Sequence, residues 1–150
     1  MIIYKTGDIT QVKEGIIMHG CNAQGVMGSG VALAIKNKFP MAYENYKLYA
    51  SSHSIDLGDI VWAEITANKL WIANAISQRN YGRSNIRYVN YSAIVKCFDA
   101  CIDNALIVGC GINFPKIGAG LGGGDWNIIE QLINDCDPND EVEKVCWELP

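Results

Sequence analysis

Two hydrophobic rhythms alternate along the chain. Short apolar runs bounded by glycine or polar turns read as strands, and longer segments with apolar residues every three or four positions read as helices. The stretch IIYKT reads as an opening strand that ends at Gly7-Asp8, and GIIMHGCN (15–22) reads as a short buried strand. A helix follows in SGVALAIKNKFP: Ser29 stands at its start, Val31, Ala34, Ile35 and Phe39 fall near one face, and Pro40 stops it. MAYENYKLYASS predicts a further helix, with a loop from Ser51 to Gly58. DIVWAEI and KLWIANAI predict a hairpin around Ala67-Asn68, and RNYGRSNIR (79–87) is polar loop. A long helix from about Tyr88 carries Tyr91, Ile94, Val95, Phe98, Cys101, Ile102 and Ala105 on one side. Its end allows two readings in ALIVGCGINF: helix to Val108 capped by Gly109, or strand from Leu106. The cap is expected, with a short strand INFPKI after it. DWNIIEQLINDC is the last helix, with Asp125 at the N-cap and Ile129, Leu132, Ile133 and Cys136 at helical spacing. VEKVCWEL closes as a strand. This alternation predicts one α/β domain over 1–150, a mixed sheet with helices on its faces.

Two glycine-rich runs break the pattern. HGCNAQGVMGSGVALAI (19–35) holds four glycines and PKIGAGLGGGDW (115–126) holds five. Glycine disfavours both helix and strand, so these runs need another reason. Each stands after a predicted strand and before a predicted helix. In open α/β sheets, ligands bind at the carboxyl ends of the strands, where helix N-termini offer free N–H groups and the positive end of the dipole. Two such loops face to face would wrap a doubly charged phosphate group in backbone amides.

Composition narrows the ligand and the setting. A chain of 150 residues suits one domain with a hydrophobic core. Its apolar runs fall far short of a membrane span, and its N-terminus has no secretory pattern, so an intracellular, cytoplasmic protein without membrane contact is expected. The six cysteines form no C-x-x-C pair and the two histidines lack ligand spacing, so no metal or cofactor is expected and the thiols read as reduced core residues. The net charge of −4 argues against unspecific nucleic-acid binding, which needs a basic stripe. An anion would be held by amides.

Familiar phosphate motifs fail. A P-loop needs a lysine followed by serine or threonine after its glycines, and neither run has one. The dinucleotide fingerprint needs G-x-G-x-x-G with an acidic residue about twenty positions on, and neither run fits. The order TGDIT, HGCNAQGVMGSGVALAI, then FPKIGAGLGGGDW before the last helix resembles the macrodomain family of ADP-ribose-binding modules over nearly the whole chain. The nearest likeness is to small single-domain members described as ADP-ribose 1''-phosphate phosphatases or as ADP-ribosyl hydrolases. The resemblance implies a three-layer α/β/α sandwich, with ADP-ribose or its 1''-phosphate as ligand. It gives Asp8 a hydrogen bond from the adenine amino group, with Ile9 offering its backbone N–H, places Asn22 against the distal ribose, and counts Cys21, Ala23 and Met27 among the ADP-ribose-binding residues. Gly28, Ser29, Gly30 and Val31 match the first loop around that ribose and the diphosphate. Ile117, Gly118, Ala119, Gly120, Leu121 and Gly122 match the second loop, which holds the diphosphate by amides. Relatives that release ADP-ribose from glutamate use a lysine after the central strand and an aspartate in the second loop. Here the matching places are Gln78 and Gly122, which leaves a lysine-adduct mechanism without its nucleophile. The resemblance therefore implies a phosphatase acting on ADP-ribose 1''-phosphate, with Asn22 and His19 as its catalytic residues. The alternatives are an O-acetyl-ADP-ribose deacetylase, an ADP-ribosyl hydrolase or a non-catalytic reader.

Plainer roles compete at several positions. Asp8 also suits an Asx-type turn, Asn22 a loop cap, and Trp126 packing under the second loop. Asp125 is explained by its N-cap alone. His19 lies on an inner strand three residues before Asn22. It reads equally as a proton-moving group and as a hydrogen-bonded core residue.

Overall fold

Each strand of the structure is placed by which of its faces must be covered. In the computed structural model, which describes residues 1–150, the order is β1 (Ile2–Thr6), β2 (Gly15–Asn22), α1 (Gly30–Lys38), α2 (Pro40–Ser52), β3 (Ile60–Thr66), β4 (Leu70–Gln78), α3 (Tyr91–Val108), β5 (Ile112–Phe114), α4 (Trp126–Cys136) and β6 (Lys144–Glu148). The six strands form one sheet in the order β1-β6-β5-β2-β4-β3. All neighbours are parallel except the β3–β4 hairpin, which is antiparallel.

Alternate residues of the central strands feed opposite faces. Ile16 and Met18 of β2 join Ala73, Ala75, Ile112, Phe98 and Ile129 in one core under α3 and α4. Ile17 joins Ile72, Ile35 and Phe39 in a second core under α1 and α2. Cys21, Ile76, Met27 and Tyr46 form a third cluster beneath the first glycine run. Each Ile, Met or Phe among them, fully buried, stabilises by about 1.5–3 kcal/mol, so the two helical layers are held by burial on both faces. The result is the three-layer α/β/α sandwich. No helix is long and apolar enough to cross a membrane.

Element ends show where the pattern was incomplete. Gly109 sits in the left-handed region (φ 75, ψ 45) and caps α3, which settles the ambiguous ALIVGCGINF in favour of the cap. The helix starts at Tyr91 and not Tyr88, because the Asn90 side chain accepts a bond from the Ala93 N–H as its N-cap. The strand expected over INFPKI stops at Phe114, since Pro115 has no N–H for the ladder. Ala34 is exposed, so α1 buries a narrower stripe than its sequence suggests. One feature went unread in the sequence: Lys144 is fully buried. Its Nζ lies 2.5 Å from Asp137 Oδ2, 2.9 Å from Asp140 Oδ1 and 2.8 Å from the Val142 carbonyl, so a buried Lys144–Asp137 pair, joined by the exposed Asp140, starts β6.

The topology fixes where a ligand can sit. From β2 the chain runs through α1 and α2 to β3 and β4 on one side, then crosses through α3 to β5 on the other. A crevice therefore opens at the carboxyl end of β2, between loops that leave in opposite directions.

Candidate functional site

The first loop leaves β2 at Asn22, whose amide shapes it. Asn22 Oδ1 accepts from the Gln24 N–H at 2.9 Å and the Val26 N–H at 3.4 Å, while Nδ2 donates to the Val26 carbonyl at 2.8 Å. The buried Tyr46 hydroxyl donates to the Asn22 carbonyl at 2.6 Å and lies 2.9 Å from Oδ1. Met27, 1% exposed, anchors the loop in the core. Ser29 makes no side-chain cap bond, so the N–H groups of Gly30, Val31 and Ala32 at the start of α1 have no partner in the protein.

The second loop hangs from β5 by Ile117, whose side chain is sunk in the core. Its glycines divide by purpose. A Cβ at Gly122 or Gly124 would fall 2.7 or 2.8 Å from the Gly118 carbonyl oxygen, and Gly118 itself has φ +80, so these three build a turn packed on itself. At Gly120 a Cβ would meet nothing within 4 Å. The N–H groups of Gly118, Gly120, Leu121 and Gly122 donate to no acceptor in the protein. Asp125 ends the loop by accepting from the Asn127 N–H at 2.9 Å as the α4 N-cap.

Between the loops lies a cleft of about 640 Å³, a size suited to a small-molecule ligand. Twelve of the expected residues line it: His19, Cys21, Asn22, Gly28, Ser29, Gly30, Val31, Ile117, Gly118, Gly120, Leu121 and Gly122. Asp8, Ile9, Ala23, Met27 and Ala119 do not. The lining contains no aspartate or glutamate. Asp8 is exposed; its Oδ1 accepts from the Thr10 hydroxyl at 2.7 Å and the Thr10 N–H at 2.9 Å, and these bonds hold its carboxyl below the usual range. It caps the short 3-10 turn Ile9–Gln11 and leaves Oδ2 open, with the Ile9 N–H unpaired beside it.

His19 is buried within the sheet. It is 1% exposed, and its Nε2 donates to Asn74 Oδ1 at 2.6 Å across the β2–β4 pairing. The Asn74 amide is held in that orientation by its own bond to the Ala42 carbonyl at 3.1 Å. Burial drives the His19 pKa down to about 4, and the bond to Asn74 opposes this only in part. At neutral pH the ring is uncharged and its N–H is committed to Asn74, the arrangement of a hydrogen-bonded core residue.

The sequence reading missed the third wall of the cleft, formed by Tyr81, Gly82 and Arg83, together with Ser77 at its floor. Ser77 Oγ is buried without a hydrogen-bond partner. The signal for the wall was in RNYGRSNIR, which holds every arginine of the chain and no acidic residue.

Known proteins share this build. Residues 18–133 match the family model described as Macro domain. The chain is 33% identical, over 99% of its length and 97% of the other's, to the uncharacterized 17.5 kDa protein in the tk-vs intergenic region of Enterobacteria phage T4. It is 29% identical, over 91% of its length and 94% of the other's, to the ADP-ribose 1''-phosphate phosphatase of Candida albicans. A solved structure of a protein of unknown function from Bacteroides thetaiotaomicron superposes with a TM-score of 0.88 at 29% identity, covering 100% of this chain and 98% of that one. Fold and cleft define a three-layer α/β module whose cleft is lined by residues with unpaired backbone amides. The chain belongs to the macro domain family.

Proposed function

We propose that this macro domain hydrolyses ADP-ribose 1''-phosphate to ADP-ribose and inorganic phosphate. The observation that carries the reading is the two rows of unpaired amides facing a cleft without carboxylates, in a chain similar to the Candida phosphatase over 91% of its length. Amides fixed in place stabilise phosphate charge without reorganising as the reaction proceeds. In the reaction, a water oxygen bonds to phosphorus as the P–O1'' bond breaks. The bonding pair leaves with O1'', which takes one of the water protons.

The residues divide the work as follows. The amides of Gly118, Gly120, Leu121 and Gly122 and the start of α1 hold the diphosphate. The open Asp8 Oδ2 and the Ile9 N–H take the adenine edge. Asn22 acts by positioning: its four bonds set the curve of the first loop, which orients the distal ribose. His19 takes no proton. Against the hydrolase reading stands the pair Gln78 and Gly122. A Cβ at Gly122 would lie 3.2 Å from Gln78 Oε1, so the two places adjoin in the cleft, and neither offers a nucleophile or a carboxylate.

The test is a substrate panel of ADP-ribose 1''-phosphate, O-acetyl-ADP-ribose and an ADP-ribosylated protein. Phosphate release from the first, with the others unconsumed, is the expected result. Tight ADP-ribose binding with no turnover of any would make the domain a reader. Release of ADP-ribose from the protein would make it a hydrolase.

A further inference from the structure

The loop over 79–87 ties the two glycine loops together. At one end, the Arg79 carbonyl accepts from the Ala23 N–H at 3.2 Å and from Gln24 Nε2 at 3.1 Å, and the Asn80 carbonyl accepts from Gln78 Nε2 at 2.8 Å. At the other end, the N–H groups of Tyr88 and Val89 donate to the Gly122 carbonyl at 2.7 and 3.0 Å. The tip is set by Gly82, where a side chain would collide with the Tyr88 hydroxyl. The loop is therefore a strap across the cleft mouth with both ends fixed.

Its three arginines are not equivalent. Arg87 stacks its guanidinium over Tyr91, 4.3 Å from the ring centroid, and Arg79 and Arg87 stand outside the cleft lining. Arg83 lines the cleft and has no ion-pair or aromatic partner. The other cation in the lining, Lys116, is paired with Glu148 at 3.0 Å. Arg83 is thus the one unpaired full positive charge facing the ligand, among donors that are otherwise neutral.

We propose that Arg83 is a specificity-determining residue that grips the terminal phosphate of a phosphomonoester ligand and selects it over the dephosphorylated product. The inference rests on the phosphatase reading. Neutral amides suffice for the diphosphate that both ligands share. The monoester adds a further charge of nearly two at neutral pH, and a planar guanidinium matches its oxygens with paired donors. Holding the ester and not the product also favours release after hydrolysis.

The experiment compares wild type with Arg83→Gln, Arg83→Lys and Arg87→Gln. It reads phosphate release from ADP-ribose 1''-phosphate and calorimetric binding of both that ester and ADP-ribose. Arg83→Gln is expected to lower kcat/KM for the ester about 10- to 100-fold, the usual loss for a charge-assisted bond, with ADP-ribose affinity unchanged within about threefold. Arg83→Lys should recover part of the loss, and Arg87→Gln should match wild type. Equal loss for both ligands, or none for either, would overturn the assignment to the terminal phosphate. If wild type releases no phosphate, the phosphatase reading fails. The inference is then judged by binding: it stands if wild type prefers the ester to ADP-ribose and Arg83→Gln does not, and falls otherwise.

Discussion

Gly120 and Gly118 lie two residues apart in the same loop, yet their substitutions should behave in opposite ways. Gly120 lies outside the left-handed region, and a Cβ there meets nothing within 4 Å, so Gly120→Val should fold normally while its side chain fills the diphosphate approach. Calorimetry should find no ADP-ribose binding and thermal melting should find wild-type stability. Retained binding would make the open space irrelevant to the ligand. Gly118→Ala should instead lose stability, because φ is +80 and a Cβ would sit 2.7 Å from Val89 Cγ2. His19 carries a pH signature. Its folded pKa is depressed to about 4 from an ordinary 6.5. Its contribution is therefore complete above about pH 6.5 and lost as pH falls towards 4, about 3 kcal/mol in all. Urea unfolding across that range should show the decline, and His19→Gln should flatten it. An unchanged pH profile would mean that the buried ring is not what makes acid destabilising.

At the scale of elements, the start of β6 depends on a charge taken out of water. Burial by itself works to raise the Asp137 carboxyl, but Lys144 and the N–H groups of Glu141 and Val142 outweigh it and hold it below its usual range. Lys144→Met should cost about 3–5 kcal/mol, since it strands that carboxylate, and Lys144→Met with Asp137→Asn should recover much of the loss. Chemical denaturation of the two variants decides this. Equal loss in both would show that the stranded carboxylate is not what costs stability. Such features also explain how far the sequence could be read. Helices α3 and α4 announce themselves by apolar spacing and by caps at Gly109 and Asp125, all of them local signals, although the Asn90 cap is not read from the sequence and α3 is expected to start three residues early. Lys144 does not announce itself: its partners Asp137 and Asp140 lie only seven and four residues before it, but the irregular turn between α4 and β6 that brings them onto its Nζ has no periodic pattern. The first and second loops were legible as glycine runs between strand and helix. The strap over 79–87 read as mere polar loop, since its place across the cleft depends on the Gly122 carbonyl more than thirty residues away.

For the whole molecule, the ligand should act as a clasp between regions distant in the chain. With ADP-ribose at about a hundredfold excess over Kd, the fold should gain about 2.7 kcal/mol. Hydrogen exchange should slow at the amides of residues 30–32 and 118–122, with β1 and β6 unaffected. Protection confined to one of the two loops would break the picture of a shared anion cradle. A separate consequence follows from the thiols. All six cysteines are free, four are buried and two half-buried, and burial pushes every one of them up from its ordinary pKa. Such thiols react with an alkylating reagent only when the structure around them opens, so the protein carries its own set of opening clocks. Cys97 and Cys101 on α3 should time the core under that helix, and Cys146 the β6 strand between β1 and β5. Cys21, on the cleft floor against His19, should slow when ligand is bound, turning mass-resolved alkylation into a binding assay that needs no label.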